Sequence, residues 1–411
     1  MPNKKVLKRR RERRFKKREE KRKNEIEKYN NPHLVADTDR LLEAFLCKAK
    51  RNVDWKPSIQ RFELNMMTRI YNIHKDFMSC SKSKIKFHKF GIMERGKARV
   101  IQSVNIDCRV IQHSLCDNVL TPFLTKKLIT NNSSSIKGRG LDFSINYLKH
   151  DLMKAYRKNN FSNDMTLITI DLHDYFNSIP HETMKDLIKD SFPNEEIRTF
   201  VFKVIDSFDG NRGLGLGSQL CQILAIYYLN PIDHYIKEVL GIKYYGRYMD
   251  DSYLIVPKDQ NPYELLDLLE VLYKGIGIEL NTKKSRVIYL KNDSFTYLQK
   301  RFRLSKSGKV HIKQNRKTKN RLIRKIKKFE DLLNDGLIDE AYIYQVMSSM
   351  LGSQEKYASY YYIKRMKKRI HKTFPDIFDE NFEPVINIKN FKADKFDMDS
   401  FLNIEDNKDS E

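Results

Sequence analysis

The sequence has few cysteines and no long apolar run. Its five cysteines are odd in number, are scattered and form no Cys-x-x-Cys pair: Cys47, Cys80, Cys108, Cys116 and Cys221. This usage excludes a zinc ribbon and favours a reducing, cytoplasmic compartment. No stretch is apolar enough to span a bilayer and no lipidation signal is present, so we expect no membrane partner. The basic residues 1–23 lack the apolar core that a secretory signal contains.

Positive charge, by contrast, is abundant. The 411 residues include 78 Lys and Arg against 53 Asp and Glu, a formal net charge of +25. Such a surface repels itself unless it meets a polyanion, and nucleic acid is the usual one because each neutralised phosphate releases counterions. A ribosome-associated or merely basic protein would show the same charge.

The basic residues are densest in an N-terminal arm, residues 1–37. Nine of them are Lys8, Arg9, Arg10, Arg11, Arg13, Arg14, Lys16, Lys17 and Arg18. Like charges at this density predict a solvated helix, or disorder until phosphates neutralise them. Contact with nucleic acid is the favoured interpretation, and a solubilising tail is the alternative.

Hydrophobic periodicity divides the rest of the chain. Apolar residues recur at helical spacing between positions 37 and 77, short β-type runs occupy 84–104, and residues 105–160 return to helix around a polar stretch at 131–140. Residues 165–300 alternate strand and helix in a βαββαβ order. The remainder is predicted to be helical, with Gly336 as a helix C-cap, up to an acidic tail at 386–411.

Carboxylates stand at two informative places in the central segment. The β-branched run 167–170 leads directly into Asp171, and the β-type run 244–256 bends at Asp250 and Asp251. If these strands are neighbours, the three side chains converge. Divalent ions prefer such oxygen ligands. One reaction that needs them is the joining of nucleotides, in which two ions about 4 Å apart activate a primer 3′-hydroxyl and neutralise a leaving pyrophosphate.

These motifs resemble those of reverse transcriptases. Tyr248-Met249-Asp250-Asp251 is similar to their catalytic tetrapeptide, and the segment from Asp171 to Phe176 resembles their first carboxylate motif. The resemblance implies a metal-binding set of Asp171, Leu172, Asp250 and Asp251 for two Mg²⁺ ions, with Mn²⁺ as an alternative. It also implies that Phe176 is a steric gate against a 2′-hydroxyl; a core aromatic is the other interpretation.

A glycine-rich segment, residues 213–222, is similar to the motif that positions template and nucleotide. The resemblance assigns substrate binding to Gly217, Gln222 and Met249. The segment departs from the common bacterial form, since Leu216 stands where Gln is usual and Cys221-Gln222 replaces Ser-Pro. Leu-Gly-x-x-x-x-Gln resembles instead the variant found in diversity-generating retroelement enzymes. The following residues 228–234 strengthen the match to bacterial group II-like enzymes.

Basic residues complete the resemblance. Residues 96–101 are similar to the fingers strand that holds the triphosphate, with Arg99 favoured and then Lys97, because an Arg fork can bind phosphate oxygens bidentately. Lys284 matches a pyrophosphate contact or proton donor and is counted with the catalytic residues; Lys283 is its alternative. Residues 295–302 approximate a primer-grip turn, although Gln299 stands where Gly is common.

The predicted architecture is therefore α+β: a right-hand polymerase with fingers (38–160), a ferredoxin-like palm (161–304) and a helical thumb (305–385). The predicted activity is RNA-directed DNA synthesis from dNTPs on an RNA template. Three roles remain open at this stage. They are bacterial anti-phage defence with a dedicated non-coding RNA and with an accessory protein or second polymerase as candidate partner, a diversity-generating retroelement, and a non-catalytic RNA-binding scaffold with a relic palm.

Overall fold

The computed structural model describes residues 4–81, 84–94 and 97–385. The predicted acidic tail lies outside the described residues, and so do Gly96 and several side chains of the basic arm. The arm itself is helical in its described part, since α1 runs from Lys4 to Tyr29. Across the described ranges, no helix has both the length and the apolarity needed to cross a membrane.

The chain up to residue 160, which includes the basic arm and the predicted fingers, is mainly helical and carries one hairpin. Its helices and strands are α1, α2 (His33–Ala36), α3 (Thr38–Ala44), α4 (Pro57–Leu64), α5 (Met66–Met78), β1 (Phe87–Glu94), β2 (Lys97–Val104), α6 (Ile106–Leu115), α7 (Thr121–Leu124) and α8 (Leu141–Lys158). The predicted helical periodicity brings Phe45, Phe62, Ile70 and Ile73 into one core. Leu46, in contrast, is exposed, because a π-helical turn at Phe45–Ala49 changes the spacing of side chains there.

The palm contains the predicted βαββαβ order. Its elements are β3 (Thr166–Ile170), α9 (Tyr175–Ser178), α10 (His181–Lys189), α11 (Glu195–Asp206), α12 (Gln219–Tyr228), α13 (Asn230–His234), β4 (Tyr245–Tyr248), β5 (Asp251–Ile255), α14 (Pro262–Gly275) and β6 (Arg286–Tyr289). The sheet is antiparallel with strand order β4-β5-β3-β6. Central strand β3 buries Leu167, Ile168 and Ile170, because both of its faces are covered.

A second, three-stranded sheet follows β6 in the chain. It consists of β7 (Phe295–Tyr297), β8 (Lys300–Leu304) and β9 (Val310–Gln314) in that order. The prediction that the chain is helical after the palm is wrong for β9, which pairs with β8. The reason is local, since residues 310–314 alternate buried and exposed side chains in the two-residue period of a strand.

The thumb region ends the described chain with three helices, α15 (Arg316–Asn334), α16 (Glu340–Glu355) and α17 (Tyr360–Thr373). They pack around a core of their own that includes Phe329, Met347 and Ile370. The loop between α16 and α17 contacts the start of α8, where Lys356 and Tyr357 both donate hydrogen bonds to Asp142. These bonds attach the helical bundle to the first turn of α8.

Candidate active site

The three predicted carboxylates lie at one end of the two central palm strands. β3 and β5 are antiparallel with Ile170 opposite Ser252, so the next position of the same register places Asp171 opposite Asp251. The two-residue turn Met249-Asp250 joins β4 to β5, and the pair of Tyr248 and Asp251 closes it. Asp250 therefore lies directly before Asp251. The structure therefore brings together the side chains that the sequence suggested.

The backbone around Asp171 is fixed by the loop that precedes β6. The Asp171 carbonyl accepts a hydrogen bond from Asn281 N–H at 2.8 Å, and its amide lies 3.2 Å from Ser285 Oγ. Leu172 forms an isolated bridge with Leu280 and buries its side chain. Only the carbonyl oxygen of Leu172 can therefore act as the metal ligand predicted at that position.

The same loop carries Lys284 to the site. Its Nζ lies 3.1 and 2.9 Å from the two carboxylate oxygens of Asp171. This hydrogen-bonded pair raises the pKa of the Lys284 ammonium, so the side chain stays charged near neutral pH. Lys283, the alternative, is exposed and has no such contact in the described structure.

The carboxylates are held where negative charge is unfavourable. Burial, followed by the charges of Asp250 and Asp171, raises the pKa of Asp251 to about 7. Burial and the charge of Asp171 also raise the pKa of Asp250, while Lys284 and Arg99 act in the opposite direction. Positive charge is therefore what this cluster lacks.

This lack of positive charge indicates whether the site suits divalent ions. Hard cations prefer the oxygen ligands that Asp171, Asp250 and Asp251 supply, and binding would relieve the repulsion that raises two of their pKa values. Among the described residues, however, no three His, Cys, Asp or Glu side chains are already arranged as a metal-binding group. In this structure the Lys284 ammonium is the cation beside Asp171. The residues fit the ions in chemistry and charge, and their side chains must still reorient.

A buried ion pair lies beneath the catalytic turn. Arg247 Nε is 2.9 Å from one carboxylate oxygen of Asp233, and both side chains are fully buried. Arg247 Nη1 also donates to the carbonyl of Met249 at 3.0 Å. Met249 has a φ of +56°, a strained conformation for a residue other than glycine. The ion pair thus supports the unusual backbone that presents Asp250.

Sequence reasoning missed this pair. One available signal was an arginine at the third position of an otherwise apolar and aromatic strand, directly before the tetrapeptide. The other was Asp233, inside the segment 228–234 that had been noted only for its family resemblance.

The glycine-rich loop joins the palm to the fingers hairpin. Gln102 N–H donates to the Leu216 carbonyl at 2.8 Å, and Ile101 bridges Leu216 in parallel. At Gly217 the φ is +114°, and an added Cβ would lie 2.8 Å from Ile101 Cγ2. A side chain at Gly217 is therefore excluded both by the backbone and by the contact with β2.

This contact brings β2 beside the carboxylates. Arg99 is exposed on that strand and is close enough for its charge to lower the pKa of Asp250. Lys97 is the first residue of the same strand, and its side chain lies outside the described part. Arg99 therefore places positive charge near the carboxylates.

Phe176 lies between the first carboxylate and the glycine-rich loop. Its side chain is half-buried, and its carbonyl accepts a hydrogen bond from Leu214 N–H at 2.8 Å. Gln222 is exposed on α12, the helix that the Ser218 hydroxyl caps. Asp174, two residues before Phe176, accepts hydrogen bonds from Asn177 at 2.9 and 3.0 Å.

The predicted primer-grip turn joins β7 to β8. Leu298 and Gln299 both have positive φ values, 46° and 62°, in a two-residue hairpin turn. Tyr297, just before the turn, has a raised pKa, chiefly through burial and in part through the charge of Asp251. The turn thus lies near the carboxylates, although Gln299 replaces the common glycine.

The ordered motifs are matched by the profile of a protein family described as reverse transcriptase (RNA-dependent DNA polymerase), which aligns with residues 81–301. The chain belongs to the reverse transcriptase family. This membership confirms the predicted enzyme class and the right-hand polymerase fold, which the mixed helices and sheets described above fit. It does not distinguish bacterial, defence-associated or retroelement members of the family.

Two further comparisons complete the picture. Among solved structures, the reverse transcriptase chain is similar to telomerase from Candida albicans in complex with a TWJ fragment of telomeric RNA, with 12% sequence identity and a TM-score of 0.42. The alignment covers 74% of this chain and 64% of the telomerase chain. No curated protein sequence matches the chain.

Proposed function

We propose that this reverse transcriptase extends a primer with dNTPs on an RNA template, using two divalent metal ions, Mg²⁺ in the first place. The observation that carries the proposal is the cluster of Asp171, Asp250 and Asp251 at one end of β3 and β5, with the pKa of Asp251 raised to about 7. The chemistry that bound ions supply is activation of the primer 3′-hydroxyl and neutralisation of the pyrophosphate.

The remaining residues have proposed roles that follow from where they lie. Arg99 binds triphosphate oxygens from the fingers strand, and Lys284 donates a proton to the leaving pyrophosphate once its bond to Asp171 is released. Phe176 occupies the volume that a 2′-hydroxyl would need. Gly217, Gln222 and Met249 line the path of template and nucleotide.

The direct test is primer extension by the purified chain. A short DNA or RNA primer annealed to RNA is incubated with dNTPs and Mg²⁺, then with Mn²⁺, and then with excess chelator. We expect extension that depends on the metal and on the RNA sequence. A chain that retains RNA but extends no primer with either metal would instead be the RNA-binding scaffold.

We further propose that the enzyme acts in bacterial anti-phage defence, with a dedicated non-coding RNA as template. Its support is the resemblance of the motifs to those of bacterial group II-like enzymes, and a cytoplasmic location remains part of the prediction. The segment Leu216 to Gln222 favours a second candidate, a diversity-generating retroelement enzyme. Sequencing the RNA and DNA that copurify with the chain separates the two, since a single structured RNA supports defence and a copied variable repeat supports the retroelement.

A further inference from the structure

The outer face of the three-stranded sheet is almost entirely cationic. β8 exposes Arg301 and Arg303, and β9 exposes His311 and Lys313, while the residues between them turn inward. A depression of about 410 Å³ on this face is lined by these four side chains together with Ser294 and Ser305. We call these six residues the basic sheet face. Among the residues that the structure describes, no acidic or apolar side chain lines it.

The cations stand directly opposite one another. The strand register pairs Arg301 with Lys313 and Arg303 with His311. Like charges at opposed positions of an antiparallel pair, as in the pair of Arg301 and Lys313, destabilise a sheet. Nothing in the folding of the chain requires charges there, because the opposite face of the same strands already packs Phe302 and Leu304 into the core.

The described structure does not neutralise these charges. Arg301 Nε donates to the neutral Ser294 hydroxyl at 2.8 Å. Arg303, His311 and Lys313 form no ion pair with any acidic residue in the described ranges of the chain. An unpaired arrangement of this kind is stabilised when a polyanion binds it.

The spacing of the charges suits a nucleic-acid backbone. Neighbouring strands are about 5 Å apart and alternate residues of one strand about 7 Å apart, so the face presents cations at roughly the interval of successive phosphates. Guanidinium forks match phosphate oxygens, and the hydroxyls of Ser294 and Ser305 can pair with ribose 2′-hydroxyls.

We propose that the basic sheet face binds the sugar-phosphate backbone of RNA outside the copying cleft. The choice of RNA rests on the proposed function, since the template is the strand that continues beyond the copied segment. The β7–β8 turn lies near the catalytic carboxylates, and β8 leads from that turn along the face. An RNA strand that leaves the cleft at this turn and continues along the sheet therefore reaches the basic sheet face.

The test compares two double variants of the full chain. Arg303→Gln with Lys313→Gln removes two exposed cations from the basic sheet face. The control, Lys75→Gln with Lys189→Gln, removes the same charge from exposed positions on α5 and α10. Affinity is measured against salt concentration for a short primer–template duplex, for the same duplex with a long 5′ RNA extension, and for one with a DNA extension.

On the RNA-extended substrate, we expect the first variant to reduce the slope of log affinity against log salt by about 1.5, since each phosphate contact contributes roughly 0.7 to 0.9. When salt rises from 50 to 200 mM, the first variant should therefore lose about eight-fold less affinity than the wild type does. The control is expected to retain the wild-type slope, and both variants to extend the short duplex normally.

Other results would overturn the proposal. Equal slopes for the wild type and the first variant would show that RNA does not touch the face, and equal losses in both variants would show an effect of net charge alone. If the first variant reduced the salt slope equally for the duplex with a DNA extension, the choice of RNA would be wrong. If the first variant no longer elongated the primer of the short duplex, the face would lie inside the cleft. If polyglutamate bound the wild type as tightly as RNA does, and the first variant weakly, the partner would be an acidic protein. Extension by the wild type reports on the polymerase proposal separately.

Discussion

Arg247 and Asp233 form a fully buried ion pair that joins the helix α13 to the strand leading into the catalytic turn. Tyr245 donates a further hydrogen bond to the Asp233 carboxylate, at 2.6 Å. Because Arg247 also donates to the Met249 carbonyl, the pair connects the palm core to the backbone beside Asp250. The pair thus supports the backbone of the turn at Met249 and Asp250 in addition to packing.

Variants of this ion pair distinguish its contribution to stability from its contribution to polymerase activity. We expect Arg247→Met to lower the free energy of unfolding by about 3 to 5 kcal/mol, because Asp233 is left charged and buried. The double variant Arg247→Met with Asp233→Leu removes both charges and should regain most of that stability. It should not regain polymerase activity, since the Met249 carbonyl still lacks its donor. Denaturant unfolding and primer extension measure the two effects, and a double variant with wild-type kcat would reduce the pair to a packing feature.

Replacing two of the catalytic carboxylates tests the assignment of the site. Asp250→Asn with Asp251→Asn is expected to reduce primer extension by about a hundred-fold or more, because the amides cannot hold a divalent ion as carboxylates do. Without metal at pH 8, the variant should melt at a higher temperature than the wild type, since the burial of charged carboxylates and their mutual repulsion, which together raise the pKa of Asp251, are gone. Asp174→Asn, a nearby exposed carboxylate that contacts Asn177, is the matched control. Extension by the double variant at a tenth of the wild-type rate would contradict the assignment.

Phe176 provides a test of sugar selection. Phe176→Ala is expected to lower the preference for dATP over ATP by about ten-fold or more, because the ring no longer fills the space of a 2′-hydroxyl. Phe176→Tyr keeps the ring and should keep the preference. Single-nucleotide incorporation with each triphosphate gives the ratio. If alanine leaves the ratio unchanged while the protein still folds, Phe176 is a core aromatic, the other interpretation of its sequence.

Asp151 predicts a pH dependence of stability outside the active site. This residue of α8 is buried, accepts a hydrogen bond from the Tyr253 hydroxyl at 2.9 Å, and has a pKa raised to about 6, chiefly by burial. The folded chain therefore keeps a proton that the unfolded chain releases near pH 4, so this carboxyl lowers the free energy of unfolding as pH rises from about 4 to 6.

The variant Asp151→Asn removes this titration. The gain in free energy of unfolding of this variant over the wild type should be larger at pH 7 than at pH 4 by about 2.5 kcal/mol, which is the part of the two-unit shift that falls between these pH values. Unfolding curves at several pH values measure the difference, with the exposed Asp259→Asn as control. A difference that does not change with pH would show that Asp151 titrates normally.

The parts of the fold that the sequence predicted are those defined by neighbouring residues. The β-branched run before Asp171 and the polar bend between Tyr248 and Asp251 are short-range patterns, and the structure has both. The contact of Arg247 with Asp233 could not be predicted in the same way, because it depends on how a helix packs beneath a strand. Strand β9 was missed because the region after Leu304 was judged by helical periodicity, whereas Val310 to Gln314 follow the period of two.

The hydrogen bond between Gln102 and Leu216 has a mechanical consequence. It makes the glycine-rich loop a third, partial strand of the fingers hairpin, and this loop leads within two residues to the cap of α12 at Ser218. When the hairpin moves as a rigid unit, for example as Arg99 follows a triphosphate, the loop must move with it or lose this bond. Movement of the fingers hairpin and positioning of the template would then be coupled, because the loop would move with the hairpin relative to the first turn of α12.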